Sequence, residues 1–161
     1  MAVMKIVKLG EDEVLRKKAH PVKVIDRRTH ALLKDMAETM YAADGVGLAA
    51  PQVGILRRIV VIDVGDGLVE LINPEIIASE GAEVAPEGCL SVPGRRGTVE
   101  RPTKVTVRAL DRKGCQIEFI AEGFFARAVC HELDHLDGIV YVDKMIEDVT
   151  EQLMKQDGEE H

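Results

Sequence analysis

The sequence predicts an α+β fold, with antiparallel or mixed β-sheets packed around a central helix. Three observations carry that prediction. Short β-rich runs at 58–64 and 68–73 flank Gly65-Asp66-Gly67, a hairpin signal. The run 103–110 alternates apolar and polar residues and returns at 115–121 after a turn at 111–114, so strands come in hairpins and do not alternate with helices. Helical character is concentrated in two long stretches, 26–43 and 123–137.

Along the chain, residues 11–28 mix both charge signs and read as a short helical turn and a surface loop. The first helix, over 26–43, places Ala31, Leu32, Met36, Met40 and Tyr41 at helical spacing, a core stripe. The segment 45–52 (GVGLAAPQ) reads as a glycine turn leading into a strand. Asn73-Pro74 punctuates the second strand of the hairpin, and 76–84 suggests another strand. The helix at 123–137 is closed by Gly138 as its C-cap, and 145–156 reads as a short terminal helix.

Composition narrows the function. A chain of 161 residues is expected to form one domain, 1–161, whose terminal helix and tail begin at about 145. At this length, roughly 70% of the surface exposed by the unfolded chain can be buried. No apolar run approaches a membrane span, and residues 1–9 are broken by Lys5 and Lys8. The expectation is therefore a cytoplasmic protein without membrane association. Asp plus Glu exceeds Lys plus Arg, 28 to 21, and aromatics are 3% with no Trp. Sequence-specific nucleic-acid binding is accordingly not expected. Cys89, Cys115 and Cys130 are odd in number and widely spaced, and read as thiols.

The strongest local signal is His131-Glu132-Leu133-Asp134-His135, an HExxH on the second helix. Four residues on, a helix returns to the same face ~6 Å along its axis, so both imidazoles can hold one divalent metal. Glu132 then stands beside the metal, placed to take a proton from water on it. A catalytic site of this kind needs a third protein ligand and an open position. Tyr141 occupies the place where a metzincin-type third His would fall, and the downstream acids are Asp143, Glu147 and Asp148. Upstream, Glu87-Gly88-Cys89-Leu90-Ser91 offers a thiolate, soft enough to favour iron, zinc or cobalt. The residues alone leave Cys89 and the acids as alternatives.

GVGLAAPQ, EGCLS and HELDH, in this order and at these separations, resemble the three signature motifs of the peptide deformylases. The resemblance extends to IVKLGEDEVLRKKAHPV, RIVVID, INPEI and RALDRKG, and so covers nearly the whole chain. It implies that Cys89, His131 and His135 bind the metal, that Glu132 is the general acid/base, and that Gln52 and the Leu90 backbone N–H donate to the oxyanion. It also implies an apolar pocket for the methionine side chain formed by Val46, Phe124, Ala128 and the face of His131. The substrate backbone would pair with Gly47 and Gly88. The implied activity is removal of the formyl group from the N-terminal formylmethionine of nascent bacterial or organellar polypeptides, with release of formate. One divalent metal per chain is implied, Fe2+ natively, with Zn2+, Ni2+ or Co2+ able to replace it.

Two departures bear on these expectations. Cys130 stands before the HExxH where the family often has Gln, and is expected to alter packing without becoming a ligand. Some members dock on the ribosome through a basic C-terminal helix. Here residues 147–161 hold six acids and one Lys, so a transient ribosome contact is the most that is expected, and the acidic tail counts against docking of that kind. Asp134 is a candidate acceptor for a ligand imidazole, and Glu87 with Arg101 a candidate ion pair bracing the Cys89 loop. Two rival functions are an HExxH peptidase with an acidic third ligand, and a binding module with a structural metal. Neither uses GVGLAAPQ.

Overall fold

Asp26 starts the first long helix: its carboxylate accepts the Thr29 N–H at 3.1 Å, and α1 runs Arg27–Ala42. The structure, a computed structural model, describes residues 2–152. Leu32, Leu33, Met36 and Met40 form the buried stripe of α1. Ala31 and Tyr41, which the periodicity assigned to that stripe, are exposed, and the Tyr41 hydroxyl donates to Asp63 at 2.6 Å. Between residues 11 and 26 the helical turn is a single 3-10 turn, Glu13–Arg16, capped by Asp12.

The strands are β1 (Gly47–Ala49), β2 (Ile59–Ile62), β3 (Val69–Glu80), β4 (Glu83–Cys89), β5 (Val92–Arg101), β6 (Lys104–Leu110), β7 (Gln116–Glu122) and β8 (Glu147–Asp148). They form a five-stranded sheet of order β1-β2-β3-β6-β7 and a three-stranded sheet of order β4-β5-β8. Every ladder is antiparallel, so the α+β class holds. Helix α2, Gly123–Leu136, follows β7 directly.

Strand residues alternate between two cores because α1 and α2 cover opposite faces of the larger sheet. Leu48, Ile59, Val61 and Ile72 pack with α1, while Val60, Ile62, Leu71, Val105 and Val107 pack with α2. Covering both faces explains why β2 is apolar at every position and does not alternate.

Three further expectations need correction. Asn73-Pro74 does not end a strand: β3 continues through it as an irregularity in the ladder between Ile72 and Glu75. Asn73 takes φ 53°, a left-handed conformation that Asn tolerates, and its amide bonds both the N–H and the carbonyl of Val22, at 2.8 and 2.9 Å. The strand expected at 76–84 is two strands, since the chain turns at Gly81 before β4 begins. The terminal helix expected at 145–156 gives way at its start to β8, with helical backbone only from Thr150. Pairing with β5 satisfies those backbone groups first: Ile146 N–H donates to Thr98 at 2.7 Å and Val149 N–H to Arg96 at 3.0 Å. The rest of that expected helix, 153–156, and the tail to 161 lie outside the described residues.

The end of α2 is held from two sides. Gly138, one residue past the cap position Asp137, takes φ 75°, the left-handed conformation that ends a helix, and a Cβ there would lie 2.6 Å from the Arg16 carbonyl oxygen. From β2's N-terminal flank, Arg58 donates to the Leu136 carbonyl at 2.9 Å and pairs with Asp137 at 3.0 Å. A cation bonded to the last carbonyls of a helix stabilises it. Arg58→Ala should therefore lower stability by about 1–3 kcal/mol. The expected observation is a lower urea midpoint with an unchanged slope.

Candidate active site

Helix α2 carries Arg127, His131 and His135 at four-residue spacing, which puts all three on one stripe of the helix. Ala126, Val129, Cys130, Leu133 and Leu136 occupy the other side and pack into the larger sheet's core. The polar stripe is thereby turned toward the β4–β5 hairpin. Burial pushes the Cys130 thiol pKa up, as suits a residue buried in that core.

Cys89 is the last residue of β4, at the hairpin turn, and it meets the two histidines there. Its Sγ lies 3.3 Å from His135 Nε2, and one donor atom from each of Cys89, His131 and His135 falls within 4.8 Å of the others. The imidazole rings stand 5.1 Å apart at 70°. Among the described residues no acid joins this cluster. Asp143 bonds Arg16 and the Val140 N–H, and Asp148 bonds Arg95. One thiolate and two imidazoles suit a soft or borderline divalent ion, and His135 turns Nε2 toward the thiol.

Glu87 is the acceptor behind the histidines. Its Oε1 takes His131 Nδ1 at 2.9 Å and Arg101 at 3.0 Å, and its Oε2 takes Arg101 at 2.9 Å and Arg127 at 2.7 Å. The bond to Nδ1 leaves Nε2 of His131 for a metal. The expected Glu87–Arg101 pair is thus present, bidentate and buried. Asp134, by contrast, orients no imidazole: it accepts from Arg101 at 2.7 Å and from Lys144 at 3.0 Å. Burial alone would raise the Glu87 pKa, but the bonds from His131 and Arg101 hold it down at about 2.

Glu132 lies 4% exposed, with Oε1 buried and unpartnered. Burial pushes its pKa up to about 7 against the pull of His131. Its carboxylate rests on Gly47, where a Cβ would overlap Oε2, so β1 must carry a glycine at this point. The two histidines shift in opposite directions. Burial lowers His135, whereas for His131 the negative groups Glu132, Cys89 and Glu87 outweigh burial and raise it.

Gln52 closes the other side. Its Oε1 accepts the Ala49 N–H at 2.9 Å, which fixes the amide so that Nε2 faces Ser91 Oγ at 3.1 Å and Cys89 Sγ at 3.5 Å. A cavity of about 600 Å3 opens above, and Val46, Gly47, Gln52, Gly88, Cys89, Leu90, Phe124, Ala128, His131 and Glu132 all line it. His135 is fully buried beneath. The eleven residues that the resemblance assigns to the metal, the chemistry or the substrate therefore lie together, whereas Asp143 and Asp148 bond elsewhere. Three neighbours of the site carried no such assignment: Arg127, Ser91, and Tyr141, whose ring stacks 6.0 Å from His131. The four-residue step back from His131 was the available sign for Arg127.

A cleft floored by a cysteine and two histidines, with a buried carboxyl beside them, defines a hydrolase of the HExxH class. The polypeptide deformylase family model matches residues 3–151. The peptide deformylase of Caldanaerobacter subterraneus subsp. tengcongensis is 62% identical over 146 residues, 91% of each chain, and that of Caldicellulosiruptor bescii is 58% identical over 97% of this chain and 93% of its own. Among solved structures, the Thermotoga maritima peptide deformylase superposes with a TM-score of 0.85 at 45% identity, covering 88% of this chain and 97% of the other. The Synechococcus elongatus enzyme in complex with actinonin gives 0.88 at 39%, covering 98% and 87%. The chain belongs to the peptide deformylase family, and it is an enzyme.

Two outcomes follow from the Glu87 hub. Arg101→Ala should lower metal retention, read as metal content after gel filtration; unchanged content would remove Arg101 from the support of the site. Because the folded pKa of Glu87 lies below its ordinary 4.5, its contribution to stability is fully present above about pH 4.5 and is lost as pH falls toward 2. Glu87→Gln should flatten the loss of unfolding free energy in that window, as urea titrations at about pH 5 and about pH 3 would show.

Proposed function

We propose that this enzyme removes the formyl group from the N-terminal formylmethionine of nascent polypeptides by metal-assisted hydrolysis, with Cys89, His131 and His135 holding one divalent metal and Glu132 as general acid/base. Fe2+ is the native metal in this reading, with Zn2+, Ni2+ or Co2+ as replacements. The observation that carries it is the buried Glu132 carboxyl, unpartnered at Oε1, beside three mutually close soft and borderline donors under an open cleft.

The metal, when bound, supplies Lewis acidity that acidifies a water molecule and polarises the formyl carbonyl. Glu132 accepts the water's proton at its carboxylate and delivers a proton to the leaving amine nitrogen, so formamide and water become formate and a free amine. Burial suits it to both tasks by bringing its pKa toward neutrality. Gln52 Nε2 and the Leu90 N–H donate to the formyl oxygen as negative charge develops there. Removing one such donor costs about 3–4 kcal/mol in comparable sites. The Gln52 amide needs no reorientation, since Ala49 and Ser91 already hold it.

Val46, Phe124 and Ala128 receive the methionine side chain, and the main chain at Gly47 and Gly88 pairs with the peptide as an added strand. The single catalytic domain, 1–161, and a cytoplasmic, bacterial-type setting belong to the same proposal. Among the described residues no helix is long and apolar enough to cross a membrane. Residues 147–161 carry six acids and one Lys, so no ribosome docking is assigned to them.

Formate release from a formyl-Met-Ala-Ser peptide, assayed under nitrogen with metal content on the same sample, tests the reading. Glu132→Ala should abolish formate while metal stays bound, and Cys89→Ala should lose metal. No formate from folded, metal-loaded wild type would sink the substrate assignment. The acid limb of the rate profile should lie between the ordinary 4.5 and about 7, because a bound cation draws the buried Glu132 down from its metal-free value.

A further inference from the structure

Arg127 is a buried cation that the proposed chemistry does not use. It sits on α2 one turn before His131, and its side chain is 8% exposed. Its guanidinium donates to Glu87 Oε2 at 2.7 Å, to the Val99 carbonyl at 2.9 Å and to the Glu83 carbonyl at 2.8 Å, with a longer contact to the Ala85 carbonyl at 3.4 Å. Glu83 and Ala85 belong to β4 and Val99 to β5. A single helix side chain therefore grips both strands of the hairpin.

The hairpin needs such a grip at one particular point. The β4–β5 ladder is regular from Glu83↔Arg101 to Glu87↔Gly97, then shifts register before Cys89↔Val92. Backbone pairing consequently locates Glu87 well and Cys89 less directly. Cys89 lies two residues past Glu87, beyond the shift. Where its Sγ falls relative to α2 depends on how Glu87 and the strands around it are fixed to the helix. His131 also bonds Glu87, but through a single ring nitrogen. Arg101 bonds Glu87 from within the same hairpin and reaches the helix at Asp134. Arg127 adds a rigid planar fork whose donors are pre-set for several acceptors at once.

We propose that Arg127 is a positioning residue for the metal centre: by binding Glu87 and the carbonyls of both hairpin strands, it sets the gap between hairpin and helix, and with it the span from Cys89 Sγ to the two imidazoles. The inference rests on Cys89, His131 and His135 being the ligands. It assigns Arg127 no contact with substrate and no proton.

The test loads wild type, Arg127→Met, Arg127→Lys and Leu33→Ala with Co2+. It records the visible ligand-field and thiolate-to-cobalt bands, then the rate at which excess EDTA strips the cobalt, with thermal midpoints measured alongside. Leu33 is fully buried in the α1 core, a cluster that contains none of Cys89, His131, His135 and Arg127, so it controls for lost stability. Arg127→Met is expected to release cobalt at least ~10-fold faster with shifted bands, as loss of an outer support does at other metal sites. Arg127→Lys keeps a charge for Glu87 but not the fork, and should fall between Met and wild type. Leu33→Ala should release cobalt at the wild-type rate despite its lower midpoint.

Wild-type rates and bands in both Arg127 variants would overturn the proposal, as would equally fast release from Leu33→Ala. Should Arg127→Met fail to fold, Arg127→Lys decides by the same criteria. A wild-type chain that takes up no cobalt would overturn the ligand assignment itself, a different result from uptake that is insensitive to residue 127.

Discussion

The Glu87 carboxylate is the interaction on which the site's geometry depends. Four bonds converge on its two oxygens, from Arg101 twice, Arg127 once and His131 once. A carboxylate this buried would be costly if unpaired, and is tolerable only because every lone pair is met by a cation or ring N–H. Its partners belong to different elements: Arg101 to β5, Arg127 and His131 to α2. Glu87 is therefore where the smaller sheet is fastened to the helix, and Cys89 inherits its position from that fastening.

The larger sheet does a different job. With α1 on one face and α2 on the other, it fixes the depth at which α2 lies, and β1 brings Gly47 against Glu132. Aliphatic packing settles where the helix sits. The Glu87 network settles how its polar stripe is used. The cleft forms between these two constraints, with apolar residues on its walls and a buried, unpartnered carboxyl on its floor. Excluding protein partners from Glu132 Oε1 leaves that atom free for a proton transfer. Dense bonding of Glu87 next door has the opposite effect and holds its charge. Two glutamates of the same chain thus diverge in acidity because one is surrounded by donors and the other by none.

Much of this was legible in the chain itself. The α+β class came from paired strand signals, and α2 with its Gly138 cap was placed to within a residue. The candidate ligands and Glu132 followed from the spacing of HELDH, together with the likeness of EGCLS to a known motif. Such features are local: a helix period, a turn glycine and a short motif carry their meaning within a few residues. The misplaced elements are those where a distant partner outweighs local preference. Asn73-Pro74 reads as a break, yet β3 runs through it because Val22, far away in sequence, satisfies the Asn73 amide. Residues 147–148 lie in a stretch that reads as helix, but the free edge of β5 captures them as a strand.

The sequence by itself determined which chemical groups are available and on which kind of element each is carried, since residue type and local periodicity need no long-range information. Only the tertiary structure decided how those groups share partners. Asp134 and Glu87 are both acids close to ligand candidates in the chain, and nothing local distinguishes them. Folding gives His131 to Glu87 and turns Asp134 to Arg101 and Lys144, because the β4–β5 hairpin approaches α2 from the Glu87 side. Hydrogen-bond partnership between residues some forty positions apart is a property of the packed chain, and no shorter segment encodes it.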